Sequence, residues 1–164
     1  MKTLFVIRHG KSSWEDPQLS DHDRPLLPTG IKKTKRIANY LKEKISVPDL
    51  MLSSTAKRAH ETAKIIAEKI NYPVDYIKTS SKLYHAGSDD IYTTLYTLDN
   101  AINSVMIFGH NPTFTYFVNH YLDPGIENLP TSGVVCVEFN CDIWEDVNVS
   151  SFQVNFVVFP RMLK

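Results

Sequence analysis

Two arginines and two histidines in this sequence stand where apolar runs end, at positions from which side chains can reach a ligand. Arg8-His9-Gly10 closes the run Thr3 to Ile7. Arg58 lies in Ser53-Ser54-Thr55-Ala56-Lys57-Arg58 after Leu50-Met51-Leu52, and His110 lies in Gly109-His110-Asn111 after Ser104 to Phe108. An arginine fork donates two parallel hydrogen bonds to paired oxygens and stays charged at any working pH, so it suits a phosphoryl group better than lysine. A histidine attacks phosphorus only when neutral, and neighbouring positive charge lowers its proton affinity and keeps a lone pair available. Brought together, these four residues make an anion pocket in which one histidine attacks and the other stabilises or protonates equatorial oxygens.

The elements between them must do the positioning. Thr3 to Ile7 reads as a strand buried on both faces. Thr29 is expected to cap a helix carrying Ile31, Ala38, Leu41 and Ile45, and Leu50 to Leu52 gives a second strand. A helix from Ala56 follows, with the stripe Ala59, Ala63, Ile66 and Ile70, then a short strand over Val74 to Ile77. Ser88 with Asp89 and Asp90 starts a helix that buries Ile91, Leu95 and Leu98, before the strand Ser104 to Phe108. Asn111 reads as a cap with Pro112 at the first helical position, followed by the core-facing Phe114, Phe117, Val118 and Tyr121. Val134 to Phe139 and Phe152 to Phe159, separated by the polar stretch 140–148, pair as a terminal hairpin. The alternation predicts a three-layer α/β/α sandwich with a mostly parallel sheet and right-handed crossovers. Ligands bind such sheets beyond the carboxyl ends of the strands, which brings all three chemical segments to one edge. Helix amino termini after Thr55 and Asn111 add backbone donors there.

Composition narrows the partners. A length of 164 residues fits a single domain over 1–164. Eighteen basic residues balance eighteen acidic ones, so no global field draws the chain to nucleic acid or to an anionic membrane. Arg8-His9 interrupts the first apolar run long before a signal peptide is complete, and nothing approaches a bilayer span, which predicts a cytoplasmic protein, expected as a monomer. Cys136 and Cys141 have no partners in metal-ligand spacing and read as idle thiols, so neither a metal nor a cofactor is expected. The sequon Asn148-Val149-Ser150 reads as chance.

At these residues the sequence resembles the histidine phosphatase superfamily, with its Arg-His-Gly signature at the first strand end, and is similar to the SixA-like branch. The resemblance extends through Lys11-Ser12-Ser13-Trp14, Leu19-Ser20-Asp21-His22-Asp23-Arg24-Pro25-Leu26, the Ser53 to Ala59 segment, Gly109-His110-Asn111-Pro112 and Leu129-Pro130-Thr131. It implies a phosphoglycerate mutase-like fold, His9 as the phosphorylated nucleophile, Arg8 and Arg58 on the phosphoryl oxygens and His110 completing the pocket. Lys11 and His85 are expected to contact substrate. Relatives of this branch often carry Glu after Leu-Tyr, where this chain reads Leu83-Tyr84-His85-Ala86. The proton donor is therefore open among His85, Asp16, Asp21 and Asp23. An imidazole leaving group needs less protonation than an alkoxide, which favours a phosphohistidine protein as the phosphorylated substrate. The alternatives are a small-molecule phosphomonoesterase and a non-catalytic, phosphate-dependent binding module. His22 and Arg24 sit on a loop that either meets substrate or is merely solvated. Leu129 to Gly133 reads as a turn, and His60 and His120 as surface or packing residues.

Overall fold

The computed structural model describes residues 1–85 and 87–164, so Ala86 of the Leu-Tyr-His-Ala segment lies outside the described residues. Among the described residues six strands and four α-helices follow one another, alternating as far as β5: β1 (Lys2–Arg8), α1 (Pro28–Lys44), β2 (Leu50–Ser54), α2 (Lys57–Ile70), β3 (Lys78–Ser80), α3 (Ser88–Tyr96), β4 (Ser104–Gly109), α4 (Thr113–Asn119), β5 (Val134–Phe139) and β6 (Phe152–Val158). They form one mixed sheet in the order β3-β2-β4-β1-β5-β6. β3, β2, β4 and β1 run parallel, while β5 and β6 are the expected antiparallel hairpin at one end.

Alternation along the central strands builds two cores. Leu4 and Val6 of β1 face one side with Val105 and Ile107 of β4, where Ile91 and Leu95 of α3, Phe114 and Phe117 of α4, and Trp144 cover them. Phe5 and Ile7 face the other side with Met106 and Phe108, under Ile37, Ala38 and Leu41 of α1 and Ala63, Ile66 and Ala67 of α2. Each fully buried large apolar side chain contributes about 1.5–3 kcal/mol. A strand covered on both faces cannot slide along its neighbours without drawing the Arg8 guanidinium into an apolar core, which fixes where β1 ends and hence where His9 sits.

Three local expectations are corrected. Val74 to Tyr76 is a 3-10 turn rather than strand, because the Tyr76 and Ile77 amides donate to Pro73 and Val74 carbonyls; pairing with β2 begins only at Lys78. α1 starts at Pro28, whose fixed φ suits a first helical position, with Leu27 at the cap, so Thr29 lies inside the first turn. α4 starts at Thr113, one residue beyond Pro112, although Asn111 still acts as a cap: its Oδ1 accepts from the Thr115 amide at 3.1 Å. No helix among the described residues is long and apolar enough to cross a membrane.

Candidate active site

The parallel register sets Arg8 at the end of β1 beside Gly109 at the end of β4. The His9 amide donates to the Gly109 carbonyl at 3.1 Å, and the His9 and His110 rings lie 5.0 Å apart. The turn after His9 is clasped from three directions. The Ser132 amide donates to the carbonyls of Arg8 and His9 at 3.0 and 3.1 Å, and the Gly10 amide donates to Thr62 Oγ1 of α2 at 2.9 Å. A Cβ at Gly10 would stand 2.8 Å from Thr34 Oγ1 and 3.2 Å from Ser132 Oγ, so only glycine lets these elements close around the turn. Leu129 to Gly133, expected as a turn, also holds Arg8: its Nη1 donates to the Leu129 carbonyl at 3.1 Å.

Hydrogen-bond partners fix the tautomers. His9 Nδ1 lies 2.6 Å from the Gly10 carbonyl, which can only accept, so Nδ1 carries the proton and Nε2 keeps its lone pair. His9 is 7% exposed. Burial, reinforced by the charges of Arg58, Arg8 and Arg24, brings its pKa to about 3 against the opposing Gly10 contact, so the ring is neutral at working pH. His110 Nδ1 faces Arg58 Nη2 at 3.3 Å, and a guanidinium only donates; His110 therefore holds its proton on Nε2 and gives it to Ser54 Oγ at 2.8 Å. Burial, then His9 and Arg58, bring His110 to about 3 as well, although Asp21 opposes the shift.

Asp21 ties the arginines together. Arg58 donates from Nη1 to the Asp21 carbonyl at 2.6 Å and from Nη2 to its Oδ2 at 3.0 Å. Arg24 grips Oδ1 from Nε and Nη2 at 3.2 and 2.9 Å, and Tyr84 Oη donates to Oδ2 at 2.8 Å. Partial burial works against the Asp21 charge, but the bonds from Tyr84 and Arg58 outweigh it and hold the carboxyl far below the usual range. Arg24 Cζ in turn lies over the Trp14 ring, 3.3 Å from its centroid. The Nε atoms of Arg8 and Arg58 are buried without an acceptor, and an unmet buried donor costs about 1–3 kcal/mol.

These side chains line an open cleft of about 900 Å³. Arg8, His9, Arg58 and His110 all border it, as the strand-end argument expects, and Lys11 and His85 stand exposed at its edge. His85 adopts a left-handed backbone conformation with φ 54°, and its ring centroid lies 4.0 Å from that of Tyr84 with the planes tilted by 42°. Of the other candidate proton donors, Asp21 borders the cleft, while Asp16 and Asp23 are not among its lining residues. Arg24 also borders it, whereas His22 braces the loop from outside by bonding Thr55 Oγ1 at 2.9 Å through Nε2. Sequence reasoning assigned no role to Ser54, Tyr84 or Trp14. Ser54 was within a quoted motif, but nothing local shows that its hydroxyl meets His110, 56 residues away. Burial pushes the Cys136 thiol up to about 12, consistent with an idle core thiol, and no metal-binding cluster occurs among the described residues.

Residues 4–79 match the family model for the histidine phosphatase superfamily (branch 1). Over that stretch, just under half of its length, the chain is similar to the histidine phosphatase superfamily. Its mixed sheet matches the phosphoglycerate mutase-like fold of the protein histidine phosphatase SixA solved with tungstate, at a TM-score of 0.82 and 24% identity over 99% of both chains. A candidate phosphohistidine phosphatase SixA from Agrobacterium tumefaciens is 26% identical at a TM-score of 0.75, covering 96% of this chain and 97% of that one. An uncharacterised protein of Mycobacterium leprae is 26% identical over 167 residues, covering 94% of this chain and all of that protein.

Proposed function

We propose that this chain is a member of that superfamily, a phosphatase that takes the phosphoryl group of a phosphohistidine protein onto His9 Nε2 and passes it to water. The observation that carries the reading is the state of His9: neutral, with Nδ1–H held by the Gly10 carbonyl and its Nε2 lone pair free, in a cleft bordered by two arginines that each retain an unpartnered donor. Arg8 and Arg58 both border that cleft, where a bound oxyanion would meet their guanidinium groups, and the SixA structure of like fold is a complex with an oxyanion, tungstate.

In the first displacement the Nε2 lone pair forms a bond to phosphorus while the bond to the substrate nitrogen breaks, its electron pair leaving with that nitrogen. A substrate imidazole protonated on its second nitrogen departs as a neutral molecule and needs no proton from the enzyme. In the second, water attacks phosphorus, the P–Nε2 bond breaks, the water proton passes to solvent and phosphate leaves. The His9–Gly10 bond stabilises the positive ring formed between the two steps, and Arg8 and Arg58 balance charge on the phosphoryl oxygens. The reading calls for no metal ion, because the arginines supply that positive charge.

Asp21 is held ionised by Arg58, Arg24 and Tyr84 and is a poor proton donor in this state, which disfavours alkyl phosphates. The same observation favours one second reading, a phosphate-dependent binding module. Phosphate release from a phosphohistidine protein and from an alkyl phosphate, followed in chelator beside His9→Ala, separates the two. Release that prefers phosphohistidine and vanishes in His9→Ala supports the phosphatase. Binding without release from either substrate overturns it in favour of the module.

A further inference from the structure

The cleft carries more positive charge than a phosphoryl group can use. Five cations border it, Arg8, Lys11, Arg24, Lys33 and Arg58, against the single carboxylate of Asp21, in a chain whose eighteen basic residues equal its acidic ones. A phosphoryl group brings about two negative charges near neutral pH. Arg24 and Arg58 are already paired with Asp21, whereas Lys11 and Lys33 enter no salt bridge among the described residues and are exposed.

Their placement is built by backbone packing. The Leu27 amide donates to the Lys11 carbonyl at 2.9 Å, and Ser12 forms a bridge with Leu26, so the segment after His9 lies against the start of α1. A Cβ at Gly30 would fall 2.2 Å from the Lys11 carbonyl oxygen, so the approach needs glycine there. Lys33 follows Gly30 by three residues, on the same side of the helix. Lys11 follows His9 by two, which puts their Cα atoms at most about 7 Å apart. Both lysines thus border the cleft that holds His9, Lys11 two residues along the chain from the nucleophile and Lys33 one turn beyond the glycine against which Lys11 packs.

We infer that Lys11 and Lys33 form a subsite for carboxylates flanking the phosphorylated residue, so that the enzyme selects phosphohistidine sites with aspartate or glutamate beside them. This rests on the phosphatase reading and names its substrate class. Exposed ion pairs are individually weak, and two of them supply about a fivefold preference at low salt. That preference shrinks toward unity at about 1 M salt, where the screening length falls to about 3 Å.

The test compares kcat/KM for two phosphohistidine peptides of equal length, one with Asp and Glu around the phosphorylated residue and one with Asn and Gln, in wild type and in a Lys11→Gln/Lys33→Gln variant. A small phosphoramidate serves as reference. The ratio between peptides is taken within each preparation, so incomplete folding of a variant cancels. A ratio of about five in wild type that falls below about two in the double variant and in high salt supports the subsite. A ratio near one in wild type, or an undiminished ratio in the variant, overturns it. So does a preference confined to small phosphorylated carboxylic acids. If no substrate turns over, the phosphatase reading fails by itself, and the same ratio is then read from peptide affinities through Trp14 fluorescence. A fivefold affinity difference lost in the variant still supports the subsite, and equal affinities overturn it.

Discussion

Replacing His9 by glutamine should flatten the acid sensitivity of folding. The unfolded chain takes up a proton on His9 as pH falls below about 6.5, whereas the folded ring, buried and facing three arginines, does not until about pH 3. His9 therefore leaves stability untouched above pH 6.5 and lowers it progressively between the two values, because the unfolded state there binds more protons. At pH 4.5, two units into the window, the loss amounts to about 2.7 kcal/mol at 1.36 kcal/mol per unit. Denaturant unfolding at pH 7.5 and pH 4.5 measures it. Wild type should lose about 2.7 kcal/mol more than His9→Gln between the two pH values, the remaining common loss including that of His110, whose pKa is lowered in the same direction. A difference below about 0.5 kcal/mol, the usual scatter of additivity, would refute the claim that the fold holds His9 neutral. Tungstate added at pH 5 should reverse part of the effect, since an oxyanion beside His9 favours its protonated form.

Gly30→Ala separates helix propensity from packing: propensity alone favours alanine by about 1 kcal/mol, but the Cβ would meet backbone at 2.2 Å, so denaturant unfolding should show a loss of about 1–3 kcal/mol. A more stable Gly30→Ala protein would contradict the packing of Lys11 on α1. Ser54→Ala removes the acceptor of His110 Nε2–H and of the Ala56 amide; phosphoramidate hydrolysis should fall about tenfold through misplacement of His110, and an unchanged kcat would show that the Ser54 contact positions nothing. Of the two tryptophans, Trp14 is 75% exposed against Arg24 at the cleft while Trp144 is fully buried. Tungstate should therefore change emission from Trp14 alone, and a titration signal that survives Trp14→Phe would place the anion elsewhere.

Much of this arrangement was legible in the sequence because its signals are local. Apolar runs of strand length and helical stripes gave the alternation, and the rule that ligands sit beyond strand ends then put Arg8, His9, Arg58 and His110 on one edge, where they stand together. The signals failed where tertiary pairing decides. Val74 to Ile77 has strand composition, yet turn bonds to Pro73 and Val74 consume its amides, while Lys78–Ser80 is polar and pairs because β2 offers a free edge. Spatial strand order leaves no mark on periodicity. The contacts of Asp21 with Arg58 and Tyr84 join residues 37 and 63 positions apart, and no spacing rule points to them. A lone aspartate on a polar loop reads as a proton donor until its partners show that it is kept charged.

The central claim is that His9 Nε2 carries the phosphoryl group. Rapid quenching of the protein during turnover of a phosphohistidine protein, followed by mass spectrometry of its peptides, tests this directly. The account predicts an acid-labile phosphate on His9, attached at Nε2 and absent from His9→Ala. Phosphate release by wild type with no phosphorylated His9 at any quench time, or undiminished release by His9→Ala, would contradict it.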